Sequence, residues 1–368
     1  MEQQQDNNNL KIRGTRILGD SVQIFTNGDH EYRIRKGVWN FEEATLNMEG
    51  AKAEIKRAMS AIFNQLAREE ELKLDQLKDV TELQATDLEE VLEVLNDLTF
   101  SGYLAEKNTK ASDNLLAQVL HGADIESLGF TPNTRPILFY SDSTAVIDYI
   151  EKLASDAEIP IEVLKIDEIN EIANLDLTTR YEAYEVKTLE KKLCKRFDAY
   201  SIVVGCLERP RISFLRNLNR ILVKLSKSSV LSMIDGPFSS IMTMSPPETG
   251  CFECYESRLM ARMMERSVYK EYVDQSRDVS ASSGSSVALL HGIASSAFME
   301  GILLWKIGRS RLAGRIQSTY VPLLEIQMQD LLRVPYCPAC GGASSTDKEM
   351  YASTDSIVET FEQRVRLT

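Results

Sequence analysis

Four of the six cysteines in this chain fall into two pairs, Cys251-Phe252-Glu253-Cys254 and Cys337-Pro338-Ala339-Cys340. A two-residue gap lets one tight turn present two thiolates to a single tetrahedral zinc ion. Two such turns from distant parts of a chain make a closed four-cysteine site, so the fold must bring both stretches to one point. A closed site has no open coordination position and is structural rather than catalytic. The flanking Ser245-Pro246-Pro247 and Cys340-Gly341-Gly342 suit knuckle turns. The competing readings of the same spacing are a redox Cys-x-x-Cys and a pair of disulfides.

With 368 residues the chain is long enough for two domains. Its net charge of −13 argues against nucleic acid as a partner, because phosphate binding is driven by a basic surface. Residues 1–9 are polar, show no signal-peptide pattern and read as a disordered tail. Together with reduced cysteines this places the protein in the cytoplasm. The apolar stretch 287–308 is long enough to span a bilayer, yet it holds His291, Ser295, Ser296, Glu300 and Lys306. Ionisable groups are costly at the bilayer centre, so a buried helix with one polar stripe is expected and no membrane span.

Residues 10–105 open with short alternating runs. Residues 15–18 and 21–25 read as a hairpin, Asn27-Gly28 as a type I′ turn, and residues 32–35 as a third strand with Tyr32 and Ile34 on one face and Arg33 and Arg35 on the other. Apolar residues at helical spacing follow over 51–69, and 74–80 suggests a short second helix. Thr86-Asp87-Leu88-Glu89 has capping-box spacing and starts a third helix through Leu92, Leu95 and Leu98. Short strands with three helices outline a winged helix-turn-helix, an α+β unit. Residues 106–132 read as a linker with a short helix near 115–120, and residues 133–368 as a second domain.

In that second domain strands at 137–140, 161–166, 200–205 and 230–234 alternate with helices at 144–153, 181–197 and 212–225. Alternation of this length implies an α/β fold, a mostly parallel sheet with helices on both faces. Residues 276–286, rich in serine, read as a mobile crossover loop.

The order of features from Pro136 to Ala343 resembles the ThiF/MoeB family, prokaryotic relatives of ubiquitin-activating enzymes. A hydrophobic strand and helix lead to Pro-x-x-x-x-Cys-x-x-Cys at 246–254. A loop, a small-residue-rich apolar helix, a β segment at 318–324 and Cys-Pro-x-Cys follow. The departures are informative. Where the active family has a glycine-rich phosphate loop, this chain reads Tyr140-Ser141-Asp142-Ser143-Thr144-Ala145. No backbone can approach a phosphate as closely there as glycine allows, and Asp142 sets a negative charge beside it. Asp167 ends the second strand where a ribose partner would sit, and Glu208 is a displaced candidate for the family's magnesium aspartate. The crossover loop holds no cysteine. The resemblance therefore implies a degenerate Rossmann-like ThiF domain that keeps a structural zinc on Cys251, Cys254, Cys337 and Cys340 and does not bind ATP.

The first domain resembles the RiPP recognition element, a peptide-binding winged helix, and residues 32–40 look like the streptolysin S-type version. A winged helix before a degenerate ThiF domain is the arrangement of the "C" partner in azole-forming bacteriocin (TOMM) pathways. The resemblance implies that a precursor's leader peptide docks as an added strand beside the third strand, on Tyr32, Arg33, Ile34 and Arg35, facing Leu88, Leu92 and Leu95. It implies a separate YcaO-type ATP-dependent cyclodehydratase that makes azolines, a flavin-dependent azoline dehydrogenase that oxidises them, and by analogy a homodimer. No catalytic residue is assigned to this chain. Arg33 and Arg35 read equally well as a solvated strand face, and Leu88, Leu92 and Leu95 as core. Of three histidines, His30 lies at a turn, His121 in the linker and His291 in the apolar helix, and none completes a triad. Cys194 and Cys206 read as buried free thiols. The alternative functions are an ATP-dependent adenylating enzyme of the ThiF family acting on a peptide, and a DNA-binding regulator. The third helix carries five acidic residues (Asp87, Glu89, Glu90, Glu93, Asp97) and no Lys or Arg, which opposes the last.

Overall fold

The computed structural model describes residues 14–107 except 20, 29, 40, 69 and 78–82, then 116, 119, 133–178, 183–275 and 286–341. The expected tail, most of the linker helix, His121, and residues 276–285 of the serine-rich loop lie outside the described residues. The chain divides into two compact units, Met1–Phe130 and Thr131–Thr368.

In the first unit β1 (Thr15–Leu18) lies between β5 (Leu72–Lys73) and β6 (Leu104–Glu106), antiparallel to both. A second sheet runs in the order β2 (Val22–Thr26), β3 (Glu31–Lys36), β4 (Glu42–Asn47). The expected hairpin of 15–18 with 21–25 is therefore corrected: the two runs enter different sheets, and β2 pairs with β3. The β2–β3 connection is also longer than a type I′ turn. Among its described residues only Gly28 has positive φ (77°), and pairing resumes at Thr26 with Tyr32. The strand β4 is absent from the sequence reading.

Two helices close the core of this unit, the first against β2 and the second against β6 and the first helix. α1 (Ala53–Ala67) buries Ile55, Met59, Ile62, Phe63 and Leu66, and α2 (Ala85–Phe100) buries Val91, Leu92, Leu95 and Leu98. Between them residues 74–76 form a 3-10 turn that runs into a helical Leu77, and the rest of the expected second helix lies outside the described residues. α2 starts one residue before Thr86, with Gln84 at the N-cap and no side-chain cap, so the expected capping box is not formed.

The second unit holds a seven-stranded sheet in the order β13-β12-β11-β10-β9-β7-β8. β7 (Ile137–Ser141), β8 (Ile161–Leu164), β9 (Val203–Leu207) and β10 (Ser229–Asp235) are parallel. β11 (Phe238–Met244), β12 (Arg315–Tyr320) and β13 (Glu325–Asp330) continue the sheet antiparallel. The expected strand at 318–324 is shifted: Tyr320 ends β12, a turn follows, and β13 returns along it.

Helices α3 (Thr144–Asp156), α4 (Ile166–Ala173), α5 (Ala183–Phe197) and α6 (Ile212–Lys224) follow the parallel strands. α7 (Phe252–Arg262) and α8 (Arg266–Gln275) come after β11, and α9 (Val287–Ile307) precedes β12. α9 is the one described helix long and apolar enough to cross a membrane, but it packs on β9, β10, β11 and α3. Its Glu300 is buried and accepts bonds from Ser310 Oγ (2.6 Å), Arg311 N (2.9 Å) and Arg311 Nε (2.7 Å). Those partners are why a carboxylate is tolerated in an apolar helix. Close packing at the sheet centre demands glycine at one point. A Cβ on Gly205 of β9 would sit 2.0 Å from the Tyr140 ring of β7.

Candidate functional site

Cys251 sits at the N-cap of α7 and Cys254 in its first turn. Cys337 and Cys340 belong to the turn after β13. All four thiols are buried, and their sulfurs lie within 4.8 Å of one another. The contacts are 3.8 Å for Cys251–Cys254, 3.6 Å for Cys251–Cys337 and 3.4 Å for Cys254–Cys340. A tetrahedron with zinc–sulfur bonds of about 2.3 Å has edges of about 3.8 Å. The cluster thus fits one thiophilic ion in size and donor set, and all six cysteines are free of disulfides.

The thiols also bias each other's ionisation. Hydrogen bonding from Cys251 pulls the Cys254 thiol strongly down and brings Cys337 down to about 6, while hydrogen bonding with Cys254 drives Cys251 up. Four thiolates in one buried cluster need a cation among them.

The groups around the cluster hold it in place. Val334 N–H donates to Cys254 Sγ (3.3 Å) and Asn219 Nδ2 to Cys251 Sγ (3.6 Å). Asn219 Oδ1 accepts the Phe252 N–H (3.1 Å), fixing the start of α7. Arg220 spans the two knuckles: it forks onto the Glu253 carboxylate (2.6 and 2.8 Å) and donates to the Pro338 carbonyl (2.7 Å). Such outer partners orient metal-binding side chains. Gly341 lets the second turn close, since a Cβ there would meet the Cys337 carbonyl at 2.5 Å.

A second location is set by topology, because ligands of open α/β sheets sit off the carboxyl ends of the parallel strands. Here the turn from β7 into α3 is filled by its own side chains. Asp142 Oδ1 accepts the Glu208 N–H (2.8 Å), and Oδ2 lies 3.7 Å from Arg211 Nε, with both side chains buried. Ser143 N–H donates to Ser141 Oγ (3.2 Å). Burial pushes the Asp142 carboxyl above the usual carboxylate range, and the Glu208 N–H and Arg211 draw it back. Arg211 is held in turn by Asn170 Oδ1 (2.9 Å). Asp167 does not end a strand as expected but is exposed in the first turn of α4. Glu208 is buried, with its backbone serving Asp142.

The third location is the sheet of the first unit. β3 pairs with β2 on one side and β4 on the other, so it has no free edge for an added strand, which corrects the expected docking place. Ile34, Leu92 and Leu95 are core residues at 1 %, 2 % and 0 % exposure. Tyr32 packs on Phe63 with ring centroids 5.0 Å apart. Arg33 bonds Glu31 (2.6 Å) and Glu43 (2.9 Å), and Arg35 bonds Glu43 (2.9 Å) and lies over the Phe41 ring (3.7 Å). Both arginines thus serve the outer face of the sheet, and of the expected set Leu88 alone is a half-buried α2 side chain.

Among the described residues no strand pairs with the outer edge of β4. Met48 N–H bonds the His30 carbonyl (2.8 Å), and antiparallel pairing alternates. The backbone groups of Glu42, Ala44 and Leu46 therefore face β3, and those of Glu43, Thr45 and Asn47 face outward. Ala44 and Leu46 are half-buried against the core. α2 lies alongside: Lys52, just beyond β4, pairs with Asp87 (2.5 Å), and Glu42 and Glu43 act electrostatically on Tyr103, just beyond α2.

His30 is exposed. His291 stacks on Tyr149 (4.3 Å) and its Nε2 lies 3.3 Å from the Ala145 carbonyl. Cys194 is half-buried, and Cys206 is fully buried with its thiol pushed up to about 12 by desolvation, a packing role.

No family model matches the chain, and no curated protein matches it. Solved structures do. The heterocyclase TruD aligns with a TM-score of 0.57 at 16 % identity, covering 89 % of this chain and 43 % of that one. A heterocyclase in complex with substrate and cofactor aligns at 0.57 and 15 %, covering 89 % and 39 %. E. coli MccB with ATP aligns at 0.46 and 13 %, covering 89 % and 100 %. The chain shares the heterocyclase fold, the fold its sequence resemblance implies, and spans about two-fifths of the length of those heterocyclases.

The buried Asp142 contacts give a stability prediction. Asp142→Ala leaves the Glu208 N–H without its acceptor and Arg211 without its carboxylate, and should destabilise the second unit by about 3 kcal/mol. Asp142→Asn keeps an acceptor and should lose clearly less. Urea unfolding compares the two, and equal losses would show that the Glu208 contact contributes nothing.

Proposed function

We propose that this chain is a leader-peptide-binding scaffold and activator for a YcaO-type, ATP-dependent cyclodehydratase that forms thiazoline or oxazoline rings in a bacteriocin or cytolysin precursor. The observation that carries the reading is the free edge of β4 beside α2. An extended peptide added there would bond to the backbone of Glu43, Thr45 and Asn47, the β-augmentation mode of peptide recognition. The expected docking strand thus moves from β3 to β4, with Leu88 retained as a contact. On this reading the first unit is a winged helix of the RiPP recognition type: β2, β3 and β4, then α1, the 3-10 turn and α2, with β5-β1-β6 as the wing.

The second unit serves as platform. The phosphate position holds the buried Asp142 rather than glycine backbone, and a carboxylate there repels a nucleotide. Ring closure would then be done by a separate partner. The shared fold supports this, since more than half of the TruD heterocyclase chain has no counterpart here. This chain's contribution to rate would be proximity, holding the precursor beside the partner's site. A flavin-dependent dehydrogenase completing the azoles, a homodimer and a cytoplasmic location belong to the same reading. The alternative, an ATP-dependent adenylating enzyme acting on a peptide, requires a phosphate cradle at 141–145.

Zinc on Cys251, Cys254, Cys337 and Cys340 would be structural, tying the residues after β13 to α7. The protein should purify with about one zinc per chain. Cys254→Ser should lose the metal and unfold well below the wild-type temperature, by metal analysis and calorimetry. Full stability without metal would exclude a structural ion.

The leader reading is tested with the precursor's leader peptide and Thr45→Pro. The Thr45 N–H faces the open edge, where proline is tolerated in a strand. The variant should fold, by circular dichroism, yet lose leader binding at least tenfold by anisotropy, whereas Arg33→Ala should bind normally. Unchanged binding by folded Thr45→Pro would place the leader elsewhere.

A further inference from the structure

The chemistry of the β4 edge says more about its ligand than that it is extended. Because Lys52 reaches Asp87, the stripe of α2 nearest β4 can be traced at about 100° per residue. It runs through Asp87, Glu90, Val94 and Asp97. Asp87 is buried and Val94 half-buried, while Glu90 and Asp97 are exposed. Glu90 also acts electrostatically on Lys52, which places it on this side of the helix. The helix carries no Lys or Arg.

The opposite wall is β4. Its inward side chains, Ala44 and Leu46, are half-buried and apolar, and its outward backbone groups belong to Glu43, Thr45 and Asn47. The cations nearby are committed: Lys52 to Asp87, Arg33 to Glu31 and Glu43, and Arg35 to Glu43. A strand added along β4 beside α2 would therefore meet an apolar floor at Leu46 and Val94 and an acidic rim at Glu90 and Asp97.

We infer that the leader segment bound on the β4 edge is cationic, with aliphatic side chains at alternate positions for the floor and lysine or arginine at positions facing Glu90 and Asp97. This deepens the leader-binding reading and rests on it. Alternation follows from the strand period of two, which sends successive side chains to opposite faces. Charge complementarity of this kind sets selectivity and encounter rate, and it fades with salt.

The test uses two labelled synthetic peptides with leucine at alternate positions and threonine between. One replaces a pair of threonines by lysine, the other by glutamate. Anisotropy titration of the full-length protein should favour the lysine peptide by about tenfold at low salt, as expected for a few rim charge pairs. The preference should shrink as salt rises and reverse in the double variant Glu90→Lys with Asp97→Lys. Equal or tighter binding of the glutamate peptide, or a preference unchanged in the double variant, would overturn the inference while leaving the β4 edge as the docking place. Binding of neither peptide, under conditions where Thr45→Pro and wild type are equally folded, would overturn the inference and the edge reading together.

Discussion

The cluster of four buried thiols is the constraint on which the second unit depends. α7 and the turn after β13 come from distant parts of the chain, and they meet at Cys251, Cys254, Cys337 and Cys340. The surrounding bonds show the same dependence. Arg220 and Asn219 of α6 hold both knuckles, and Val334 and Gly341 shape the second turn around the sulfurs. A bound ion would turn a set of mutually repelling thiolates into a cross-link, fixing the residues after β13, the edge strand of the sheet, against α7.

A second constraint lies at the other end of the molecule's chemistry. The carboxyl end of a parallel sheet is where this architecture binds ligands, and here Asp142, Glu208 and Arg211 close it with their own bonds. On the proposed reading the second unit serves as a support rather than as a nucleotide site. In the first unit, by contrast, no described strand pairs with the outer edge of β4. The same reading gives peptide presentation to the first unit.

Much of this was legible in the sequence, for identifiable reasons. The cysteine spacing located the cluster of four thiols, since ligand geometry is short-range and chemically strict. The missing glycines at 141–145 located the filled turn. The parallel strands were visible as compact apolar runs because both their faces are covered. β4 was missed because Glu42-Glu43-Ala44-Thr45-Leu46-Asn47 offers only Ala44 and Leu46 as apolar positions, the weak pattern of a half-covered edge strand. Without β4 the third strand reads as the edge of its sheet, whereas the structure pairs it on both sides and packs Tyr32 and Ile34 against the core. β13 was missed for the same reason, all six of its residues being exposed. The partners of β1 depend on contacts between residues far apart in the chain, which no local pattern carries.

The central claim is that this chain presents a peptide and performs no nucleotide chemistry. Its most direct test is calorimetric titration of the purified full-length protein with magnesium-ATP in the presence of leader peptide, with pyrophosphate followed in parallel. The account predicts no heat of nucleotide binding and no pyrophosphate. Saturable ATP binding with stoichiometric pyrophosphate release would contradict it and make the chain an adenylating enzyme.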